Sequence, residues 1–173
     1  SFSTSTGNAV MDVNDAYVVF TAYSSNKNTN QGSGKITMNF KNSIVDSKAK
    51  FVIGYVKDGL DPAKAPAIIL NVTDSVFTVN NYFVNSNLNG EVTIDNSVFK
   101  ATTFGNIGKV SVVNGAEATF GLTNEVQDWQ EKGSLNSGTL TVNAANFTIT
   151  NNTIDFYNVG SIVLENGAVA TFG

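Results

Sequence analysis

Eighteen residues of this chain occur twice. Residues 104–121 read FGNIGKVSVVNGAEATFG and residues 156–173 read FYNVGSIVLENGAVATFG, 52 positions apart and without a gap. Ten of the eighteen positions are identical, and others exchange like for like, Val110 with Ile162 and Val112 with Leu164. A chain that repeats itself at a fixed spacing folds as stacked copies of one unit, each unit burying its apolar face against the next. That constraint fixes shape far more than chemistry.

The pattern continues outside the doubled segment. Short alternating stretches recur at Met11-Asp-Val13, Ile36-Thr-Met38, Ile68-Ile-Leu70, Val92-Thr-Ile94, Val110-Ser-Val112, Leu140-Thr-Val142 and Ile162-Val-Leu164. An Asn, Asp or Gly cluster usually follows, then a second short apolar stretch. The corner is often spelled alike: Asn42-Ser-Ile-Val45, Asp74-Ser-Val-Phe77, Asn96-Ser-Val-Phe99 and, more loosely, Ala145-Asn-Phe147. Alternation of apolar with small polar residues reads as strands with one buried face. Branched and aromatic side chains suit that pleated surface. Asn-Gly at 114–115 and 166–167 suits tight corners, because both residue types tolerate positive φ. No useful length shows the helical period; Thr123–Lys132 is the one stretch expected to make a helical turn.

Two all-β architectures fit. An antiparallel sandwich would use the corners as hairpin turns. A right-handed parallel β-helix of about seven coils would use them as bends within one coil. The strand starts are 25, 32, 24, 18, 30 and 22 residues apart. A solenoid absorbs such changes at its corners, whereas hairpin register tolerates them poorly. The β-helix is therefore expected, as a single domain over residues 1–173, roughly 30–35 Å long at the spacing of neighbouring strands. Its inward positions would include Val92, Ile94, Val110, Val112, Ala116, Ala118, Phe120, Leu140, Val142, Ile162, Leu164, Ala168, Ala170 and Phe172. Three segments break the rhythm and are expected as loops: Ser24–Gly34, Lys57–Pro66 and Leu122–Gly138. The motif ends at Gly173 with no obvious cap; either the Lys57–Pro66 or the Leu122–Gly138 insertion folds over the end or, as expected here, the stack continues in a longer surface protein or is covered by another chain.

Composition narrows the chemistry. The chain carries 10 Lys, no Arg, no His and no Cys, with a net charge of −4. Disulfides and thiolate metal sites are excluded, the commonest general base is missing, and bidentate clamping of phosphate or carboxylate is lost. An acidic chain without basic patches has no footprint for nucleic acid, and no apolar run reaches the ~20 residues of a membrane span. The first residues, SFSTSTGN, lack the pattern of a signal peptide and are expected to be the start of a mature or cloned segment. Few charges with abundant Asn, Thr, Ser and Gly point to an extracellular location.

Four chemistries remain to be weighed. Asp12, Asn14 and Asp15, and separately Asp58 and Asp61, supply oxygen atoms of the kind calcium takes, but no calcium-loop spacing accompanies them. Turn residues bonded to their own backbone explain them, and no metal or cofactor is expected. Glu125, Asp128 and Glu131 lie near Trp129, the minimum for glycoside hydrolysis, but the expected reading is a solvated loop whose Trp129 folds down as a lid on the stack. Elimination on acidic polysaccharides needs a strong base and cations at the substrate carboxylate, and the Lys and Tyr residues form no recurring cluster. The chain is therefore expected not to be an enzyme. A carbohydrate-binding module is the alternative, with Trp129, Tyr55 and Tyr82 as stacking platforms. Last, Asn114 and Asn166 at equivalent corners, with Asn71, Asp95 and Asn143, suggest Asn ladders along the rod. The sequons at Asn71, Asn146 and Asn151 arise by chance in so Asn- and Thr-rich a chain.

GKVSVVNGAEATFG and GSIVLENGAVATFG resemble the degenerate β-helical repeats of bacterial surface adhesins and autotransporter passenger domains, most clearly over 90–121 and 138–173. The resemblance implies a secreted or surface-anchored, non-catalytic rod that presents loops to a host or cell-surface glycan or protein. It carries no fixed functional residues.

Overall fold

The computed structural model describes residues 7–21, 24–26, 34–54, 61–121, 134–150 and 156–173. They form three all-parallel sheets of seven, seven and six strands, each ordered as the chain runs. This is a parallel β-helix of seven coils. The first sheet comprises Ala9–Asn14, Ile36–Lys41, Ile68–Thr73, Gly90–Asp95, Lys109–Val113, Thr139–Asn143 and Ser161–Glu165. The second comprises Tyr17–Phe20, Ile44–Ser47, Val76–Val79, Val98–Ala101, Glu117–Phe120, Asn146–Ile149 and Val169–Phe172. The third comprises Ser24–Asn26, Phe51–Ile53, Phe83–Asn85, Phe104–Asn106, Ser134–Asn136 and Phe156–Asn158. Coils are numbered 1 to 7 from the N-terminal end.

Register shows how the repeat is cut. Met11, Met38, Leu70, Val92, Val110, Leu140 and Ile162 sit one above the next. Reading the motif from Ile36 and Ile68 starts coils 2 and 3 two residues early, on the correct face because strands have a period of two. With the true register the corner between the first two sheets barely varies. Each coil turns there on one residue in the left-handed region: Asp15, Asn42, Asp74, Asn96, Asn114, Ala144 and Asn166, with φ between 46° and 55°. Asn and Asp reach this region more readily than other non-glycine residues. Coils 5 and 7 add one residue, Gly115 (φ 80°) or Gly167 (φ 75°), which is what Asn-Gly encodes here. The spacings of 25 and 24 that flank coils 2 and 3 become 27 and 22 in the true register, and the larger changes of coil length lie at the other two corners.

Ser follows the left-handed residue in coils 2, 3 and 4 and is buried. Its hydroxyl donates to the carbonyl two residues back (Ser75 to Thr73, 2.7 Å) and accepts from the amide of the preceding coil (Ser43 N–H to Ser75 Oγ, 3.0 Å; Ser75 N–H to Ser97 Oγ, 2.9 Å). One side chain thus closes its own turn and ties two coils together.

Inside, the core is a column of phenylalanines. Phe40, Phe77, Phe99, Phe120, Phe147 and Phe172 follow one another with ring centroids 5.1–6.0 Å apart. Phe51, Phe83 and Phe104 of the third sheet pack against the column, Phe83 to Phe99 at 5.0 Å. Such pairs add roughly 0.5–1.5 kcal/mol beyond the area they bury. The expected inward positions of coils 4 to 6 are buried as read. Those of coil 7 face inward but pack on one side only, leaving Leu164 49% and Phe172 42% exposed.

Two of the expected loops contain strands. Ser24–Asn26 pairs with Phe51–Ile53, and Ser134–Asn136 pairs with Phe104–Asn106 and Phe156–Asn158. Both strands are only three residues long, and Ser134–Asn136 turns Ser134 and Asn136 inward, so neither apolar alternation nor length marks them. Pro62–Lys64 forms a 3-10 turn. The helical turn expected at Thr123–Lys132 lies outside the described residues.

Candidate functional site

The polar groups with most structural definition lie within the third sheet. Asn85, Asn106, Asn136 and Asn158 occupy one position of successive coils. The Nδ2 of each donates to the Oδ1 of the next, Asn85 to Asn106 at 3.0 Å, Asn106 to Asn136 at 2.8 Å and Asn136 to Asn158 at 2.8 Å. The first three side chains are at most 1% exposed. Each amide also bonds the backbone where the chain bends back to the first sheet: Asn106 Nδ2 reaches the carbonyls of Gly108 (3.3 Å) and Thr139 (3.2 Å), and its Oδ1 accepts the Gly108 N–H at 3.1 Å. Asn suits this place because one carboxamide supplies two donors and an acceptor without charge. The ladder begins at Asn85 because coil 2 carries Ile53 there; Asn85 Oδ1 is buried and accepts no hydrogen bond among the described residues.

Glycine is forced beside the ladder. A Cβ on Gly138 would lie 2.0 Å from the Gly108 carbonyl oxygen, so the coils stack here only if this position carries no side chain. The sequence signal is Asn-x-Gly at 106–108, 136–138 and 158–160, preceded at Asn85, Asn106 and Asn158 by Phe two residues earlier. Sequence reasoning passed over it by looking for ladders at the other corner.

Ladders do form outside, in shorter runs. Asn71 Nδ2 donates to Asn39 Oδ1 (2.8 Å) and Asn39 Nδ2 to Asp12 Oδ1 (2.7 Å) on the outer face of the first sheet. Asn71 therefore shares a column with Asp12, not with Asp95 and Asn143. Asn114 donates to Asp95 at 2.8 Å and Asn166 to Asn143 at 2.9 Å, joining adjacent coils rather than each other. Asn42 donates to Asp15, and Asn96 to Asp74 at 2.7 Å. Of the carboxylates weighed for calcium, Asp12 and Asp15 are thus each held by an amide of the following coil, and Asp61 caps the backbone N–H of Ala63 at 3.0 Å. No group of three or more carboxylates that could hold a metal occurs among the described residues.

Of the three stacking platforms, Trp129 and Tyr55 lie outside the described residues, as do Asp58, Glu125, Asp128 and Glu131. Tyr82 is 5% exposed, with Lys50 Nζ 5.1 Å from its ring centroid. Burial pushes its phenol up to about 12. A ring so covered offers no open face to a sugar, and a phenol so shifted is a poor base near neutral pH. The grooves are shallow features of the surface. One of about 560 Å³ lies along the corner at Asn14, Asp15, Lys41, Asn42 and Asp74, and one of about 280 Å³ lies between Leu88, Glu91 and Lys109. Neither gathers a nucleophile with a base.

No family model, curated protein or solved structure matches the chain.

Proposed function

We propose that this chain is a non-catalytic structural rod of an extracellular or cell-surface protein, presenting the loops of its variable corners for adhesion. One observation carries the reading: the polar side chains at repeated positions bond one another from coil to coil, while the chain varies most in length away from the corner between the first two sheets. Asn85, Asn106, Asn136 and the three corner serines hold the stack together. The extra residues fall between second and third sheet or between third and first, at 27–35, 54–67, 121–133 and 150–155. A scaffold that keeps its frame constant and changes its loops is built for presentation. Missing Arg, His and Cys, and the carboxylates already bonded to amides, support the absence of catalysis. Adhesion to a host or cell-surface glycan or protein is the corresponding partner class.

The test is adhesion of cells and a glycan array to the immobilised chain, repeated with residues 122–133 replaced by a short Gly-Ser linker and with Trp129→Ala. Binding that falls in the loop variant while its far-UV spectrum is unchanged supports the reading. Absence of binding to every cell type and glycan, or appearance of reducing ends or unsaturated products from a polysaccharide panel, overturns it.

A further inference from the structure

We propose that the outer face of the second sheet docks on the same face of a second copy of this chain, the two rods running antiparallel about a two-fold axis through coil 3. This face carries two outward columns. The first is Tyr17, Ile44, Val76, Val98 and Glu117 in coils 1 to 5; the second is Val19, Asp46, Thr78, Lys100 and Thr119. Four apolar members stand well out of the surface: Tyr17 is 66% exposed, Ile44 53%, Val76 41% and Val19 39%. A contiguous exposed apolar stripe flanked by charges is the usual mark of an interaction surface.

The stripe is complementary to itself in one orientation. A two-fold axis along the strand direction reverses the rod and keeps each column opposite its own copy. Coil 2 then faces coil 4 of the second copy, and coil 1 faces coil 5. Ile44 meets Val98, Val76 meets itself, and Thr78 meets itself. Asp46 meets Lys100, twice by symmetry, and the Tyr17 hydroxyl meets the Glu117 carboxylate, also twice. Lys100 is exposed and has no ion pair among the described residues. Asp46 already accepts from Lys48 and from Asn80 Nδ2 at 2.7 Å, and a carboxylate has lone pairs left for a third donor. Two like-charge approaches remain: Asp74 with itself, at the corner where the chain enters the sheet, and Lys100 with the Lys48 ammonium that already sits on Asp46. A two-fold axis along the rod instead sets Ile44 against Asp46 and Val98 against Lys100, burying charge on apolar groups, so the antiparallel arrangement is selected.

Five coils about 4.8 Å apart and strands about 13 Å long give roughly 300 Å² per copy, well below the ~800 Å² of a tight interface. The dimer is therefore weak, with a Kd between about 10 µM and about 1 mM.

Sedimentation equilibrium of the full chain up to about 2 mM, above that range, tests the proposal. The chain should pass from monomer to dimer. Val76→Lys puts two like charges on the axis and should leave monomer only. Lys100→Asp and Asp46→Lys should each weaken dimerisation by about tenfold or more, because each sets like charges together twice. Their equimolar mixture should dimerise as the parent does, since the two facing pairs at positions 46 and 100 are then each opposite in charge. A chain that stays monomeric to about 2 mM, or association that Val76→Lys and Lys100→Asp leave unchanged, or a mixture no tighter than its components overturns the proposal. Should Asp46→Lys not fold, the Val76→Lys and Lys100→Asp results decide it alone.

Discussion

Replacing Asn106 by Ala should destabilise the rod more than any other single loss of a polar side chain. Its Nδ2 donates to Asn136 Oδ1 at 2.8 Å, and its Oδ1 accepts from Asn85 Nδ2 at 3.0 Å and from the Gly108 N–H at 3.1 Å. Asn85 Nδ2 keeps a second partner, the Gly90 carbonyl at 3.1 Å. Asn136 Oδ1 and the Gly108 N–H do not, and both lie where water cannot replace the loss. Two buried groups orphaned at about 1–3 kcal/mol each give about 4 kcal/mol. With a urea slope of about 2 kcal/mol/M, the far-UV unfolding midpoint should fall by about 2 M. Asn71→Ala is the control. It removes one bond of similar length, to Asn39 at 2.8 Å, on the half-buried outer face, and should cost less than about 1 kcal/mol because water takes the vacated place. An Asn106→Ala midpoint within about 0.5 M of the parent, or an equal loss from Asn71→Ala, would refute the view that the buried ladder holds the stack.

Other outcomes follow from the same geometry. Gly138→Ala forces a Cβ to within 2.0 Å of the Gly108 carbonyl; the coils must part there, and soluble folded yield should collapse, as a thermal melt of any recovered protein would show. Ala144 alone among the seven corner residues is neither Asn nor Asp, at φ 49°. Ala144→Asn should raise stability by about 0.5–1 kcal/mol, and an unchanged or lower melting temperature would count against the corner argument. Tyr82, pushed up to about 12 by burial, binds its proton more tightly folded than unfolded. Its contribution is present below the ordinary phenol value near 10 and is lost as pH rises towards 12. Ultraviolet phenolate titration should show a late-titrating tyrosine that is lost in Tyr82→Phe, with stability declining over that window.

The first two sheets were legible because their strands alternate Val, Ile, Leu and Phe with small polar residues, and their corner carries a recurring Asn or Asp. A period of two forgives an early start, so beginning at Ile36 rather than Met38 still put the right side chains inside. The third sheet was not legible by the same means. Its three-residue strands hold Asn106 and Asn136 inward, and a buried Asn looks like a loop residue until the next coil supplies its partner. Tyr82 looked like a stacking platform because exposure depends on packing of neighbouring coils, which no local pattern records. The outer columns were hidden for a related reason: Asp46 and Lys100 lie 54 residues apart in sequence and two coils apart in space.

The central claim, seven in-register parallel coils, is tested most directly by backbone nuclear Overhauser contacts between the first-sheet strands. The account predicts contacts linking Val92 to Leu70 and to Val110, and Val110 to Leu140, along the stack. Contacts pairing 92–94 with 98–101 as an antiparallel hairpin, with none between successive coils, would contradict it.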